Sequence, residues 1–259
     1  MSSENQTGLA LYGDFNCPWS YLASRRAWVL ADAGVPVDFR PVEHDPLELP
    51  AASTDTQRFA DLSAEMDLVT AHLLPDEHLP YALAGFVPRT KAAVSGYAET
   101  YAAGAADAAW RLLFQAFWEH AIDLGDPAVV RTLLADVIRG GHSRSDPVSE
   151  WGYSVSVSGG PVTSDAWRLA RGWRAEWHGT NQKVVPILVV PDRQVVYGKD
   201  VVQWLGEQVV SRGLDPDAEP PVVPSPRTAD FVSASWATQN GGRWLRDLQT
   251  AHKPRLFTP

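Results

Sequence analysis

A chain of 259 residues with 45% apolar and 20% charged residues has a globular composition, with room for one interrupted domain or for two. Its net charge of −9 argues against nucleic acid or an anionic membrane as the main partner. A single cysteine allows no internal disulfide, and neither a basic-then-apolar leader nor an apolar run of about 18 residues is present, so a cytoplasmic protein is expected.

In chain order, residues 1–7 are polar, and Leu9-Ala-Leu-Tyr12 between Gly8 and Gly13 reads as a short buried strand. Leu22 or Ala23, with Ala27 and Leu30, marks one face of a helix running from Trp19 to about Ala33, with Gly34 just past its end. Between strand and helix stands Asp14-Phe15-Asn16-Cys17-Pro18-Trp19. Proline fits a first helical turn, where its missing N–H would be unpaired anyway. The unpaired N–H groups of that turn and the helix dipole favour thiolate over thiol, so Cys17 is expected to titrate below a free cysteine. The plainer alternative is a small buried hydrophobe. Val35 to Glu43 alternates as a second strand whose prolines place it at an edge or an end. Strand, helix and strand at this spacing predict a parallel βαβ unit.

From Asp45 to about Pro88 the chain is rich in Pro, Ala and Asp, with short helices expected near 56–74. Helices are predicted over 90–105 and 107–123, the second carrying Ala109, Leu112, Leu113, Ala116 and Phe117 on one stripe. Asp126-Pro127 is an N-cap followed by a first-turn proline, opening a helix closed by Gly140-Gly141. Ser164 or Asp165 caps another, carrying Trp173 and Trp177. No strand is expected in this helical middle. Strand chemistry returns at Lys183–Val190, with Gln194–Tyr197 pairing back as a hairpin, and Gly198-Lys199-Asp200 opens a last amphipathic helix ending at Gly213. The proline-rich stretch 215–226 reads as an extended linker, and 229–250 as a helix docking Trp236 and Trp244 on its own protein or a partner subunit.

Asp14-Phe15-Asn16-Cys17-Pro18-Trp19 after the first strand, and Val185-Pro186 opening a late one, resemble the DsbA-like branch of the thioredoxin superfamily. That resemblance implies an α/β fold: a thioredoxin-like domain over 8–50 and 180–213, a large all-helical insertion over 51–179 and a C-terminal extension over 214–259. It matches Cys17 to the attacking cysteine of the family's Cys-x-x-Cys motif and Pro186 to its cis proline. Val185 then offers its backbone to an extended substrate, with Pro18 and Trp19 flanking the sulfur.

The second cysteine of that motif is Ser20 here. Serine cannot resolve a mixed disulfide, so a second thiol must come from the substrate or from a small thiol such as glutathione or mycothiol. Ser20 remains able to hydrogen-bond the thiolate. The expected activity is thiol–disulfide exchange through one redox-active cysteine, on a small thiol or a protein disulfide. No covalently bound cofactor and no metal are expected, and a homodimer is among the expected assemblies. Ser20-Tyr21-Leu22-Ala23 also resembles 2-hydroxychromene-2-carboxylate isomerases and kappa-class glutathione transferases, which implies as an alternative an isomerase or transferase with an aromatic substrate held by the tryptophan-rich insertion. A non-catalytic peptide-binding module is the third reading. Asp14, Glu43 and His44, at the ends of the first two strands, are candidate proton shuttles, and Arg168, Arg171 and Arg174 are candidates for an acidic thiol's carboxylates.

Overall fold

The computed structural model of the protein describes residues 8–44, 52–53, 56–192 and 194–218. All of them fall within one unit, Met1–Val223. The proline-rich stretch from residue 219 onward and the helix expected over 229–250 lie outside the described residues.

The first strand, β1 (Leu9–Gly13), is buried at every position, which is why it carries a continuous apolar run rather than an alternation. α1 (Pro18–Asp32) then crosses to β2 (Val37–Pro41), which pairs parallel to β1 from Leu9 opposite Val37 to Gly13 opposite Pro41. β2 lies at the sheet edge, where its prolines cost no ladder bond.

The chain next leaves the sheet through β3 (Ala52–Ser53), α2 (Thr56–Thr70), β4 (Val87–Pro88), α3 (Lys91–Ala102), α4 (Ala106–Trp118), α5 (Pro127–Arg139), α6 (Asp146–Ser149) and α7 (Ser164–Gly179). It returns as β5 (Ile187–Val189) and β6 (Val195–Tyr197), then ends in α8 (Lys199–Ser211). The sheet order is β2-β1-β5-β6, with β5 antiparallel to both β1 and β6.

Four details depart from expectation. β3 and β4 form a two-residue antiparallel ladder in the stretch read as strandless, too short to show alternation. One helix of 15 residues replaces the several short ones expected near 56–74. Thr163, not Ser164 or Asp165, caps α7: its hydroxyl accepts from the Ala166 N–H at 3.2 Å while donating to the Glu99 carboxylate at 2.9 Å. β5 spans three residues rather than eight, because Pro186 has no N–H to give a ladder.

The helices after β2 are joined to the sheet by aromatic packing. Phe15, just past β1, sits with its ring centre 4.9 Å from that of Phe114 on α4 and 5.7 Å from that of Phe39 on β2. Phe39 in turn stacks on Trp110 at 4.7 Å, and Tyr21 of α1 stacks on Trp118 at 5.4 Å.

α1 is fixed on its other side by Arg26, which is fully buried. Its guanidinium makes two bonds to Glu77 and one each to the carbonyls of Val202 on α8 and His72 after α2. Gly206 gives it room, since a Cβ there would lie 2.9 Å from Arg26 Nη1. One buried charge pair thus ties α1 to α8 and to the segment that follows α2. Removing a single partner from such a pair strands the other charge without solvent. Glu77→Ala is expected to lower unfolding free energy by about 3–5 kcal/mol in urea melts, whereas Arg26→Met with Glu77→Leu should cost much less.

Candidate active site

The topology brings three chain segments to one end of the sheet. β1 and β2 both finish there, so the Asp14–Cys17 turn and Glu43-His44 emerge side by side. β5 runs the opposite way and starts opposite Tyr12, which puts Val185-Pro186 at that same end. The Val185–Pro186 bond is cis, in agreement with the resemblance.

Cys17 is the N-cap of α1: its carbonyl accepts the first helical bond from Tyr21 at 3.0 Å, and Pro18 occupies N1. The thiol donates to the Val185 carbonyl at 3.7 Å. Ser20, one turn in, accepts from the Asp14 N–H at 3.2 Å and is placed to bond the sulfur, favouring thiolate. Gly13 makes this close approach possible, because a Cβ there would lie 3.2 Å from the Ser20 hydroxyl. The indole of Trp118 donates to the Phe15 carbonyl, the Asn16 amide donates to the Pro88 carbonyl, and the indole of Trp177 donates to the Val184 carbonyl. The helices between the two halves of the sheet therefore hold both the cysteine turn and the proline loop.

The expectation of a thiol more acidic than free cysteine is overturned. Burial pushes Cys17 up from an ordinary value near 9 to about 12, helped by the charges of Glu65 and Asp14, against the lowering effect of Ser20. That displacement corresponds to about 4 kcal/mol against ionisation. A helix N-terminus contributes roughly 0.3–1 kcal/mol and at most about 2 in the other direction. Desolvation wins, and in this conformation the sulfur is a thiol on a residue only 6% exposed.

Two of the three proposed shuttle residues meet directly. Asp14 is fully buried, and its Oδ2 accepts from the His44 N–H at 3.0 Å and lies 2.8 Å from His44 Nδ1. Its Oδ1 is buried without a hydrogen-bond partner. Glu43 is half-buried, its carboxyl held above the usual range by burial and by the Asp14 charge, with Arg174, Arg89 and Lys91 acting the other way. Of the three arginines proposed on α7, Arg174 alone has this link to the site. Arg168 pairs with Asp165 at 2.6 Å in solvent, and Arg171 lies over the exposed Trp167 ring. Of the insertion's tryptophans, Trp110, Trp118, Trp173 and Trp177 are core residues, each less than 5% exposed, whereas Trp151 and Trp167 are exposed.

Sequence reasoning missed Glu65 on α2. Its charge acts on Cys17 more strongly than that of Asp14, and its own carboxyl is raised by burial, with His44 and Trp19 acting the other way. Trp19 also meets His72, just past α2, edge-on at 5.0 Å. No spacing relates Glu65 to Cys17 in the chain. It also missed Trp177, legible only as a member of an apolar stripe.

A sheet of this order, a cysteine at the mouth of its first helix and a cis proline beside the sulfur define a thioredoxin-fold protein with a helical insertion. The comparisons narrow the class: residues 9–137 match the family model of the DSBA-like thioredoxin domain. A "probable DsbA oxidoreductase" from Streptomyces coelicolor superposes with a TM-score of 0.50 at 15% identity, covering 84% of this chain and 94% of that one. A 2-hydroxychromene-2-carboxylate isomerase gives a TM-score of 0.48 at 19% identity, covering 79% and 94%. At such identities the likeness concerns the fold. No curated protein matches the chain. No helix among the described residues is long and apolar enough to cross a membrane.

The raised thiol sets a measurable titration. Thiolate absorbance is expected to stay absent in the folded protein through pH 9 and to rise toward pH 12, while the urea-unfolded chain titrates near 8.5. Because the folded state keeps its proton to higher pH, the stabilisation by Cys17 is full below about 8.5 and is lost as pH rises toward about 12. A Cys17→Ala variant should lack that loss in denaturation midpoints measured across the range.

Proposed function

We propose that the protein is a thiol–disulfide exchange enzyme working through Cys17 alone. The observation that carries the reading is the contact between the Cys17 sulfur and the Val185 carbonyl, at the mouth of α1 and beside Pro186. A disulfide-containing segment that displaced this contact would present its sulfur to Cys17 and an extended backbone to Val185, as in strand addition. Pro18 and Trp19 frame the approach, and Ser20 bonds the sulfur as charge develops on it.

Cys17 attacks one sulfur of the disulfide, forms a mixed disulfide and releases the other half as a thiol. Ser20 cannot complete the cycle. An external thiol, with glutathione or mycothiol as the chemical type, attacks the mixed disulfide and restores Cys17. Asp14 and His44 are the proton-exchanging pair at the mouth, and Glu43 adjusts their charge.

Replacement of Cys17 by serine tests the reading against an isomerase or transferase, in which the reacting thiol belongs to a bound cofactor. Mass spectrometry after incubation with a small disulfide is expected to find one adduct, on Cys17, released by added thiol and missing from Cys17→Ser. Isomerase or transferase turnover retained in Cys17→Ser would instead favour the cofactor-thiol reading.

A further inference from the structure

Glycine weakens a helix interior relative to alanine, so a glycine inside a helix calls for a neighbour that needs the room. Gly96 of α3 has one, since a Cβ there would lie 2.8 Å from Leu134 and 2.9 Å from Val130. Gly206 of α8 makes room for Arg26. Gly172, in the middle of α7, has no such neighbour among the described residues: a Cβ there would meet nothing within 4 Å. It lines an open cleft of about 550 Å³ between α7 and the end of α3, with Tyr101, Arg168, Leu169 and Glu176. Ala166 and Trp177 of the same helix are buried, so the space lies on the outward side.

The charges on that side have a pattern. Arg168 and Glu176 stand four residues before and four after Gly172, so all three share one helix face. Each charge is about 6 Å along the axis from the glycine, in opposite directions. Glu176 is anchored from below: its Oε2 accepts from the Tyr12 hydroxyl at 2.9 Å and from Arg40 Nη1 at 2.8 Å. Its side chain is still 52% exposed, and Oε1 has no hydrogen-bond partner among the described residues. Arg168 bonds Asp165 through Nη1 at 2.6 Å, with its side chain 69% exposed.

We propose that this face of α7 is the contact between two copies of the chain, whose α7 helices cross antiparallel at Gly172. A two-fold axis through Gly172 brings residue 168 of each copy opposite residue 176 of the other, so the pattern is complementary to itself. Arg168 then bonds Glu176 Oε1 twice over, once on each side of the axis. The bare glycine lets the two backbones approach closely at the crossing, and each α7 lies along the α3–α7 cleft of the other copy. Antiparallel packing also sets the helix dipoles head to tail. Each copy carries a net charge of −9, which opposes association at long range. At 0.15 M salt the screening length is about 8 Å, so pairs in contact outweigh that distant repulsion.

Sedimentation velocity of the full chain in 0.15 M salt is expected to give twice the 28.4 kDa mass of one chain. Arg168→Glu sets like charges against each other on both sides of the axis and should raise the dimer dissociation constant about 10- to 100-fold. Gly172→Leu should yield a monomer with an unchanged far-UV circular dichroism spectrum, because its side chain enters space that is open in the single chain. In a Cys17→Ala background, Gly172→Cys places one thiol from each copy at the axis. Diamide should then link the two chains, as seen on a non-reducing gel, whereas Glu207→Cys on α8 in the same background should not link. A wild-type chain that sediments as a monomer overturns the proposal, and a small ligand or an unrelated partner is then the better occupant of the cleft. A dimer that survives both Arg168→Glu and Gly172→Leu, or that fails to link through Gly172→Cys, places the contact elsewhere and overturns it as well.

Discussion

The contact between the Cys17 sulfur and the Val185 carbonyl depends on nearly everything else in the fold. It spans most of the chain, and it exists because β5 runs antiparallel to β1 and starts where β1 ends. The two halves of the sheet would meet this way in any thioredoxin-like topology. The helices between them set how tightly. Trp118 holds the turn before the cysteine, Trp177 holds the residue before Val185, and Phe15 plugs the turn into an aromatic core shared with α4.

That tightness has an electrostatic consequence. A helix N-terminus with proline at N1 is a setting that acidifies a cysteine when water and positive charge reach it. Here the same sulfur is closed in by its own protein, and the charges near it are carboxylates. A contribution of at most about 2 kcal/mol from the helix is outweighed by a net shift about twice as large, of which burial is the largest cause. The resting site is thus a thiol that donates a hydrogen bond to the Val185 carbonyl.

Much of the sheet was legible from local pattern. Leu9–Tyr12 is short, apolar and bounded by glycines, and Pro36 and Pro41 admit only an edge or an end for the second strand. Asp126-Pro127 marked a helix start, and the Asp126 carboxylate does accept from the Ala128 N–H at 2.8 Å. The Thr163 cap was misplaced because three adjacent residues, Thr163, Ser164 and Asp165, all have capping chemistry. The choice fell to Glu99 on a distant helix, which binds both N–H groups of Val162 and Thr163. Asp14 and His44 were both candidates for the site, but nothing local says that one carboxylate oxygen takes the other residue's N–H and ring. Glu65 left no trace in the sequence, since an acidic residue on an amphipathic helix reads as a solvated one.

By itself the sequence determined which reactive groups the site holds. A single cysteine followed by Pro18, Trp19 and Ser20 brings one sulfur and no second one with which to resolve a mixed disulfide. It also determined the order of the strands of the main sheet and of the longer helices, because hydrophobic period, proline and glycine are local signals. Tertiary structure decided the protonation state of the sulfur and the identity of its neighbours. Desolvation and charge are sums over segments far apart in the chain, and their sign reversed what the local helix mouth implied.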